Sequence, residues 1–126
     1  ARLGDAATAL AQIRAAWGGM LDLGATSFWE AFDPTHQGDQ HWAYYGRPFA
    51  KSLCHAWGSG PAALLPQILL GIRPLERGWR RVAVRPQLCG LEWAAACVPT
   101  PLGDLQVEVR AGRKPTIRAP RGMQVA

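Results

Sequence analysis

Two stretches, Gly24-Ala25-Thr26-Ser27-Phe28-Trp29-Glu30 and Lys51-Ser52-Leu53-Cys54-His55-Ala56-Trp57-Gly58-Ser59-Gly60-Pro61, frame the part of the chain around which the rest is organised. The residues between them are too polar for a core and too rich in aromatic residues for an ordinary linker. A sugar stacks its apolar face on an aromatic ring and hydrogen-bonds its hydroxyls to polar side chains, so this composition is typical of a carbohydrate site. The alternative is a long connection whose aromatic residues anchor it to a core.

The residues that precede this region predict an α-helix over residues 5–19. Apolar residues recur there at intervals of three and four, which places them on one helical face. They are Leu3, Ala6, Leu10, Ile13, Trp17 and Met20. Asp5 is a suitable N-cap residue. A single helix cannot bury its own apolar stripe, so we expect partner helices.

A second helix is predicted over residues 60–70. Ser59 can cap its start, Pro61 is tolerated in the first turn, and Gly71 and Pro74 prevent its continuation. Its residues are apolar nearly all round, which indicates burial on most sides. Pro66 removes one backbone hydrogen bond inside it.

After Pro74 the hydrophobic period changes to two, which indicates antiparallel strands. We expect strands over residues 79–85, 91–98, 105–110 and 115–118. In the third of these, Leu105, Val107 and Val109 alternate with polar residues, as in a sheet with one solvated face. Short strands separated by turns are typical of a β-sandwich or of part of one.

The composition is that of a globular protein. The 126 residues are 48% hydrophobic, with a mean hydropathy of −0.07. No apolar run approaches the ~20 residues that span a bilayer, so we predict no membrane partner. Three cysteines without C-x-x-C spacing favour neither a disulfide framework nor a cysteine zinc site, and they fit a cytoplasmic location best. We predict no metal and no cofactor.

The net charge of +5 is uneven. Residues 1–72 hold four Lys/Arg and five Asp/Glu, whereas residues 73–126 hold ten and four. A basic half can indicate a nucleic-acid binder. Its arginines are spread over the predicted strands without a nucleic-acid motif, so solvated strand faces explain them better, and we predict no nucleic-acid partner.

Five short motifs occur in an order that resembles the C-terminal end of bacterial α-L-rhamnosidases, glycoside hydrolase family 78. The motifs are Gly24-Ala25-Thr26-Ser27-Phe28-Trp29-Glu30, Lys51-Ser52-Leu53-Cys54-His55-Ala56-Trp57, Leu70-Gly71-Ile72-Arg73-Pro74, Val84-Arg85-Pro86 and Val98-Pro99-Thr100-Pro101-Leu102-Gly103. The resemblance implies an α+β chain. Residues 1–72 would form the C-terminal helices and active-site loop of an (α/α)6 catalytic barrel, and residues 73–126 a C-terminal antiparallel β-sandwich domain.

Glu30 is the candidate catalytic residue. It follows two aromatic residues, and burial beside them would raise the pKa of its carboxyl. The alternative is a carboxylate that caps a helix start or forms a structural ion pair. The resemblance implies that Glu30 is the general base of an inverting glycoside hydrolase that cleaves terminal α-L-rhamnosides or related glycosides.

His55 is the candidate substrate-binding residue, because the resemblance matches it to a histidine that holds the sugar. The alternative is a core histidine bonded to backbone. Trp29 and Trp57 flank the two matched polar residues and are the best candidates for sugar stacking. Trp42, Tyr44 and Tyr45 are further aromatic candidates. The Tyr44–Arg47 segment departs from the better-known family members, which leaves the identity of the sugar open.

The general acid of the family lies upstream of the motifs found here, and neither Asp33 nor Asp39 matches it. We therefore expect the remainder of the barrel as a partner and no hydrolysis by this chain alone. Two other sites are weaker hypotheses: a Cys54–His55 nucleophile and a metal held by His36, Asp39 and His41. The alternative function is a non-catalytic carbohydrate-binding or structural β-sandwich module, which would not need Glu30 at a concave site.

Overall fold

The computed structural model describes residues 5–126, which form two compact units. One unit comprises residues 8–62. The other comprises residues 63–126 together with residues 5–7.

The predicted first helix is confirmed, but it begins one residue later and ends three residues later than expected. Helix α1 (Ala6–Ile13) continues through a π-helical turn (Arg14–Gly18) into α2 (Gly19–Asp22). A carboxylate oxygen of Asp5 accepts a hydrogen bond of 3.0 Å from the backbone N–H of Ala7, as an N-cap does. Leu10 and Met20 of the apolar stripe are buried. Leu3, the first residue of that stripe, lies outside the described residues.

The long irregular connection is also confirmed. Between α2 and the next α-helix, regular structure is limited to two 3-10 turns, Gly38–His41 and Ala56–Ser59, and to a tight turn closed by a bridge between Tyr44 and Arg47. Trp29 and His41 are buried within this connection, at 3% and 7% exposure. The connection therefore has an aromatic core of its own, which explains why it is ordered without helices or strands.

Helix α3 (Gly60–Leu69) lies within one residue of its predicted bounds, but its burial was predicted wrongly. Pro61, Ile68, Leu69 and Leu70 are buried, whereas residues 62–67 are exposed or half-buried, with Leu64 at 39%. An apolar helix is buried only where other elements cover it, and the described residues cover only the two ends of this helix.

Residues 63–126 contain two three-stranded sheets. The first has β1 (Arg73–Pro74), β2 (Arg81–Ala83) and β6 (Gln124–Val125) in the order β1-β2-β6. The second has β3 (Trp93–Val98), β4 (Leu105–Arg110) and β5 (Thr116–Arg118), paired antiparallel in chain order.

All four predicted strands exist, with shorter bounds for three of them. Leu105, Val107 and Val109 form the buried face of β4, as their alternation predicts. The two-residue strands β1 and β6 are too short to give a period, so the sequence did not indicate them. The expectation of purely antiparallel pairing was wrong for β2 and β6. These strands run parallel, which requires a long crossover connection, and the whole β3–β5 sheet lies in that connection.

Within residues 5–126, none of the helices combines the length and apolar character needed to cross a membrane.

Candidate functional site

The two stretches that frame the aromatic region lie side by side in the structure. The backbone N–H of His55 donates to the carbonyl of Phe28 at 2.7 Å, and that of Glu30 donates to the carbonyl of Ser52 at 2.9 Å. Residues more than twenty positions apart in the chain are thus joined by backbone hydrogen bonds. This pairing brings Glu30 and His55, the two predicted polar site residues, into the same cluster.

The carboxylate of Glu30 is half-buried and holds one hydrogen bond on each oxygen. The hydroxyl of Tyr45 donates to Oε1 at 2.8 Å, and the backbone N–H of Ser52 donates to Oε2 at 3.2 Å. An ionised carboxylate has about four lone-pair sites, so these two donors leave acceptor capacity for a further group such as a water molecule.

The prediction of a raised pKa for Glu30 was wrong. Desolvation raises the pKa of this carboxyl, but the hydrogen bonds from Tyr45 and Ser52 lower it, as do the nearby charges of His55 and Lys51. The net effect is a pKa below the ordinary value for glutamate, because donors that bind the ionised form stabilise it. Glu30 is therefore a carboxylate at neutral pH, able to accept a proton.

Trp57 places an exposed aromatic surface next to this carboxylate. Its indole N–H donates to the backbone carbonyl of Glu30 at 3.1 Å, and its side chain is 68% exposed. The ring centroids of Trp57 and His55 are 4.3 Å apart, at an interplanar angle of 43°. Glu30, His55 and Trp57 thus form a contiguous group that contains a carboxylate, an imidazole and an exposed aromatic ring.

Trp29 has a different environment from Trp57. It is only 3% exposed, and its ring meets that of Trp42 edge-on at a centroid distance of 5.1 Å. This burial indicates that Trp29 is a packing residue, adjacent in sequence to Glu30. Its role in sugar stacking stays a prediction, one that its burial does not favour.

The first helix is connected to this group through Gly58. The indole N–H of Trp17 donates to the carbonyl of Gly58 at 2.7 Å. A Cβ atom on Gly58 would lie 2.3 Å from the backbone carbonyl oxygen of Trp29, a distance that no side chain can adopt. Gly58 therefore permits a close backbone approach beneath the site.

Lys51 and Asp33 are the other charged residues of the cluster. Lys51 is only 8% exposed, and its burial lowers its pKa, while the charges of Asp33 and Glu30 act in the opposite direction. Asp33 accepts hydrogen bonds from the hydroxyl and the backbone N–H of Thr35, at 2.6 and 2.8 Å. These bonds lower the pKa of Asp33, whereas a general acid needs a raised pKa. The structure thus gives Asp33 no property of a proton donor.

The histidines of the connection do not form a metal centre. His36 lies 3.7 Å from a carboxylate oxygen of Asp33, and His41 stacks on Phe32 with centroids 5.7 Å apart. Both Nδ1 atoms are buried and lack a hydrogen-bond partner within residues 5–126. No group of three or more His, Cys, Asp or Glu residues in that part of the chain is arranged to hold a metal ion. Cys54, Cys89 and Cys97 are free thiols.

Sequence reasoning missed the hydrogen bonds that Tyr45 and Ser52 donate to Glu30 and the nearby charge of Lys51. Ser52 contributes its backbone N–H, which carries no residue-type signal, and the charge of Lys51 at a buried position is not visible in a pattern. Tyr45 was a candidate stacking group, but its hydroxyl is instead bound to the carboxylate. The Tyr45-Gly46 pair in the sequence indicates a turn, but it does not indicate which residue the Tyr45 side chain contacts.

Two comparisons with known proteins found similar proteins. Residues 71–118 match the family model described as the bacterial alpha-L-rhamnosidase C-terminal domain. The structure is similar to the crystal structure of a GH78 family rhamnosidase of Bacillus sp. GL1, with a TM-score of 0.75 and 33% sequence identity. That similarity covers 94% of this chain but 13% of the Bacillus enzyme, so the chain spans about an eighth of its length. No curated protein sequence matches the chain.

Proposed function

We infer that this chain corresponds to the C-terminal part of a bacterial α-L-rhamnosidase of glycoside hydrolase family 78. We propose that it supplies the general base and sugar contacts of an inverting glycoside hydrolase. The reaction is the cleavage of terminal α-L-rhamnosides or related glycosides. Glu30 is the base, His55 binds a sugar hydroxyl, and Trp57 stacks on the sugar ring. Trp29 remains a candidate sugar contact of lower rank because it is buried.

One observation carries this proposal. The Glu30 carboxylate is oriented by two donors, kept ionised, and flanked by an exposed tryptophan and a histidine. A base that activates water must be ionised before the reaction and must be held in a defined direction. An arrangement that served only to cap a helix would not need the exposed ring of Trp57 beside it.

We propose that the second carboxyl group of the reaction, the general acid, belongs to a residue outside this chain. Inverting glycosidases place their acid and base roughly 6.5–9.5 Å apart, so that a water molecule fits between the base and the sugar. Neither Asp33, whose pKa is lowered, nor the exposed Asp39 suits the role of the acid. We infer that the remainder of an (α/α)6 barrel supplies the acid and covers the exposed part of α3. Residues 1–72 would belong to that barrel, and residues 73–126 to a β-sandwich domain.

Replacing His55 with alanine tests the sugar contact. We expect KM to rise by about two- to tenfold, the worth of one hydrogen bond to a substrate hydroxyl, with a smaller fall in kcat. The measurement is the kinetics of an aryl α-L-rhamnoside with the enzyme that contains this chain. Cys54→Ala is the matched control, because this neighbour is exposed and carries a free thiol. A fall in kcat with KM unchanged would place His55 in the chemical step and contradict its role as a ground-state contact.

A specific observation also favours the alternative, a non-catalytic carbohydrate-binding module. On the solvated face of the β3-β4-β5 sheet, Trp93 is 56% exposed and lies beside Arg110, which pairs with Glu108 at 2.9 Å. A groove of about 380 Å³ on that sheet is lined by residues that include Gln106, Glu108 and Arg118. If the module function applies, Trp93→Ala will lower the affinity of the chain for soluble oligosaccharides, as measured by calorimetry, and Glu30→Gln will not. The hydrolase proposal predicts that Trp93→Ala leaves kcat and KM unchanged.

A further inference from the structure

Tyr45, whose hydroxyl donates to Oε1 of Glu30, lies in a turn of a type that disfavours tyrosine. The backbone N–H and C=O groups of Tyr44 and Arg47 exchange two hydrogen bonds, at 3.0 and 2.9 Å. The two residues between them, Tyr45 and Gly46, have φ angles of +50° and +70°. Two positive φ angles in a two-residue loop define a type I′ hairpin turn, whose first position is normally Asn, Asp or Gly.

A tyrosine in the left-handed region is therefore held there by its side-chain contacts. The ring of Tyr45 meets that of Tyr44 edge-on at a centroid distance of 4.3 Å, and its hydroxyl donates to Glu30. Burial does not explain the residue, because Tyr45 is 73% exposed. A strained backbone conformation that the core does not require is a recognised feature of functional sites.

We propose that Tyr45 is a positioning residue for Glu30. Its hydroxyl fixes the direction of the carboxylate, so that a free lone pair on Glu30 faces an incoming water molecule. The inference rests on the proposed function, in which Glu30 is the general base. It adds a residue of the Tyr44–Arg47 turn to the catalytic arrangement.

The two groups that donate hydrogen bonds to the Glu30 carboxylate restrain its orientation in different ways. Ser52 donates from the backbone, so its N–H is fixed by the pairing of the two framing stretches. Tyr45 donates from a side chain on the exposed side of the cluster, the side from which a sugar and a water molecule approach. Without Tyr45, the carboxylate would be held at one oxygen only and could rotate about its last torsion, which has a broad energy minimum.

The inference predicts a pH effect of defined sign. The groups that act on the carboxylate of Glu30 are Tyr45, Ser52, His55 and Lys51, and each of them favours the ionised form. Removing the Tyr45 hydroxyl takes away one of these donors and raises the pKa of Glu30. A general base works above its pKa, so the acidic limb of the pH dependence of kcat/KM should move to higher pH.

The experiment compares Tyr45→Phe with Tyr44→Phe in the enzyme that contains this chain. Tyr45→Phe should shift the acidic limb upward and lower kcat on the pH plateau by about two- to tenfold, the worth of one hydrogen bond. Tyr44→Phe keeps the ring that packs on Tyr45 and removes a hydroxyl that takes no part in the Glu30 contacts, so it should change neither quantity. Asparagine is favoured at this position of the turn, so Tyr45→Asn should fold at least as well as the wild type. It should show the same upward shift of the acidic limb.

Two further measurements separate this inference from the proposed function. Carbon NMR of the Glu30 carboxyl group measures its pKa independently of enzyme activity. This pKa should rise in Tyr45→Phe. In a Glu30→Gln background, Tyr45→Phe should cause no additional loss of kcat, because its effect passes through Glu30. If Glu30→Gln abolishes activity but both Tyr45 variants leave the acidic limb and the Glu30 pKa unchanged, the positioning role is overturned and the base assignment stands. If Glu30→Gln retains wild-type kcat, the proposed function itself fails.

Discussion

Glu30→Gln is expected to lower kcat by about 10²–10⁴-fold, the usual effect of removing a general base. Glutamine keeps the size of the side chain and one acceptor oxygen for the donors of the site, but it cannot take a proton from water. The loss should fall on kcat, with KM little changed, because the water molecule is activated mainly in the transition state. The measurement is the steady-state hydrolysis of an aryl α-L-rhamnoside by the enzyme that contains this chain.

Chemical rescue makes this test specific to a base. In Glu30→Ala, azide can occupy the space of the missing carboxylate and attack the anomeric carbon without needing deprotonation. In the proposed mechanism, the glycosidic C–O bond then breaks, the acid of the barrel protonates the leaving oxygen, and the product is a glycosyl azide of inverted configuration. Recovery of rate with azide supports the assignment of Glu30, and wild-type kcat in Glu30→Gln contradicts it.

Asp33→Asn is the matched control for the charge change. Asp33 is a carboxylate of the same cluster, but its oxygens accept bonds from Thr35 and its pKa is lowered. We expect its substitution to leave kcat within about twofold, as for a residue outside the chemical step. The purified 126-residue chain should not hydrolyse the substrate. Turnover by that chain, abolished by Asp33→Asn, would make Asp33 the acid and overturn the division of the two carboxyl groups between this chain and the rest of the barrel.

The second large effect is on stability and concerns Gly71. This residue ends α3 with a φ of +62°, and a Cβ atom on it would lie 2.1 Å from the carbonyl oxygen of Arg85 and 2.6 Å from its carbonyl carbon. Backbone strain costs about 1–3 kcal/mol and forced overpacking a similar amount, so Gly71→Ala should lower the free energy of unfolding by about 2–6 kcal/mol. Urea denaturation followed by tryptophan fluorescence measures it, since Trp79 and Trp93 lie in the same unit.

Gly112→Ala separates the two causes. Gly112 has a φ of +70°, but a Cβ atom there meets no atom within 4 Å. Its substitution should cost about 1 kcal/mol through backbone strain alone. Equal losses in the two variants would mean that the contact with Arg85 relaxes at no cost, and the steric explanation for Gly71 would then be wrong.

The helices and strands were predictable because their signals are local. The three-to-four spacing from Ala6 to Met20 and the alternation in Leu105–Arg110 report which face of an element is buried, and both elements occur where expected. The breaks at Gly71 and Pro74 follow from backbone geometry in the same way. Strands of two residues carry no period, so β1 and β6 were not predictable.

The site was predictable only as a set of residue types. Its motifs indicated Glu30, His55 and Trp57, and the structure groups all three. The motifs did not distinguish the exposed Trp57 from the buried Trp29, because both tryptophans flank a polar residue in sequence. Exposure depends on what packs against a ring, and Trp42 covers Trp29 from thirteen residues further along the chain.

By itself, the sequence determined the longer elements, their order and the family that the chain resembles, because periodicity, turn residues and short motifs are properties of neighbouring positions. The tertiary structure alone decided the direction of the Glu30 pKa and the parallel pairing of β2 with β6. The donors on Glu30 come from positions 15 and 22 residues away, and β6 joins β2 after a full sheet has intervened. Contacts at such separations depend on how the chain packs, and a carboxylate flanked by aromatic residues can have its pKa raised or lowered until those contacts are known.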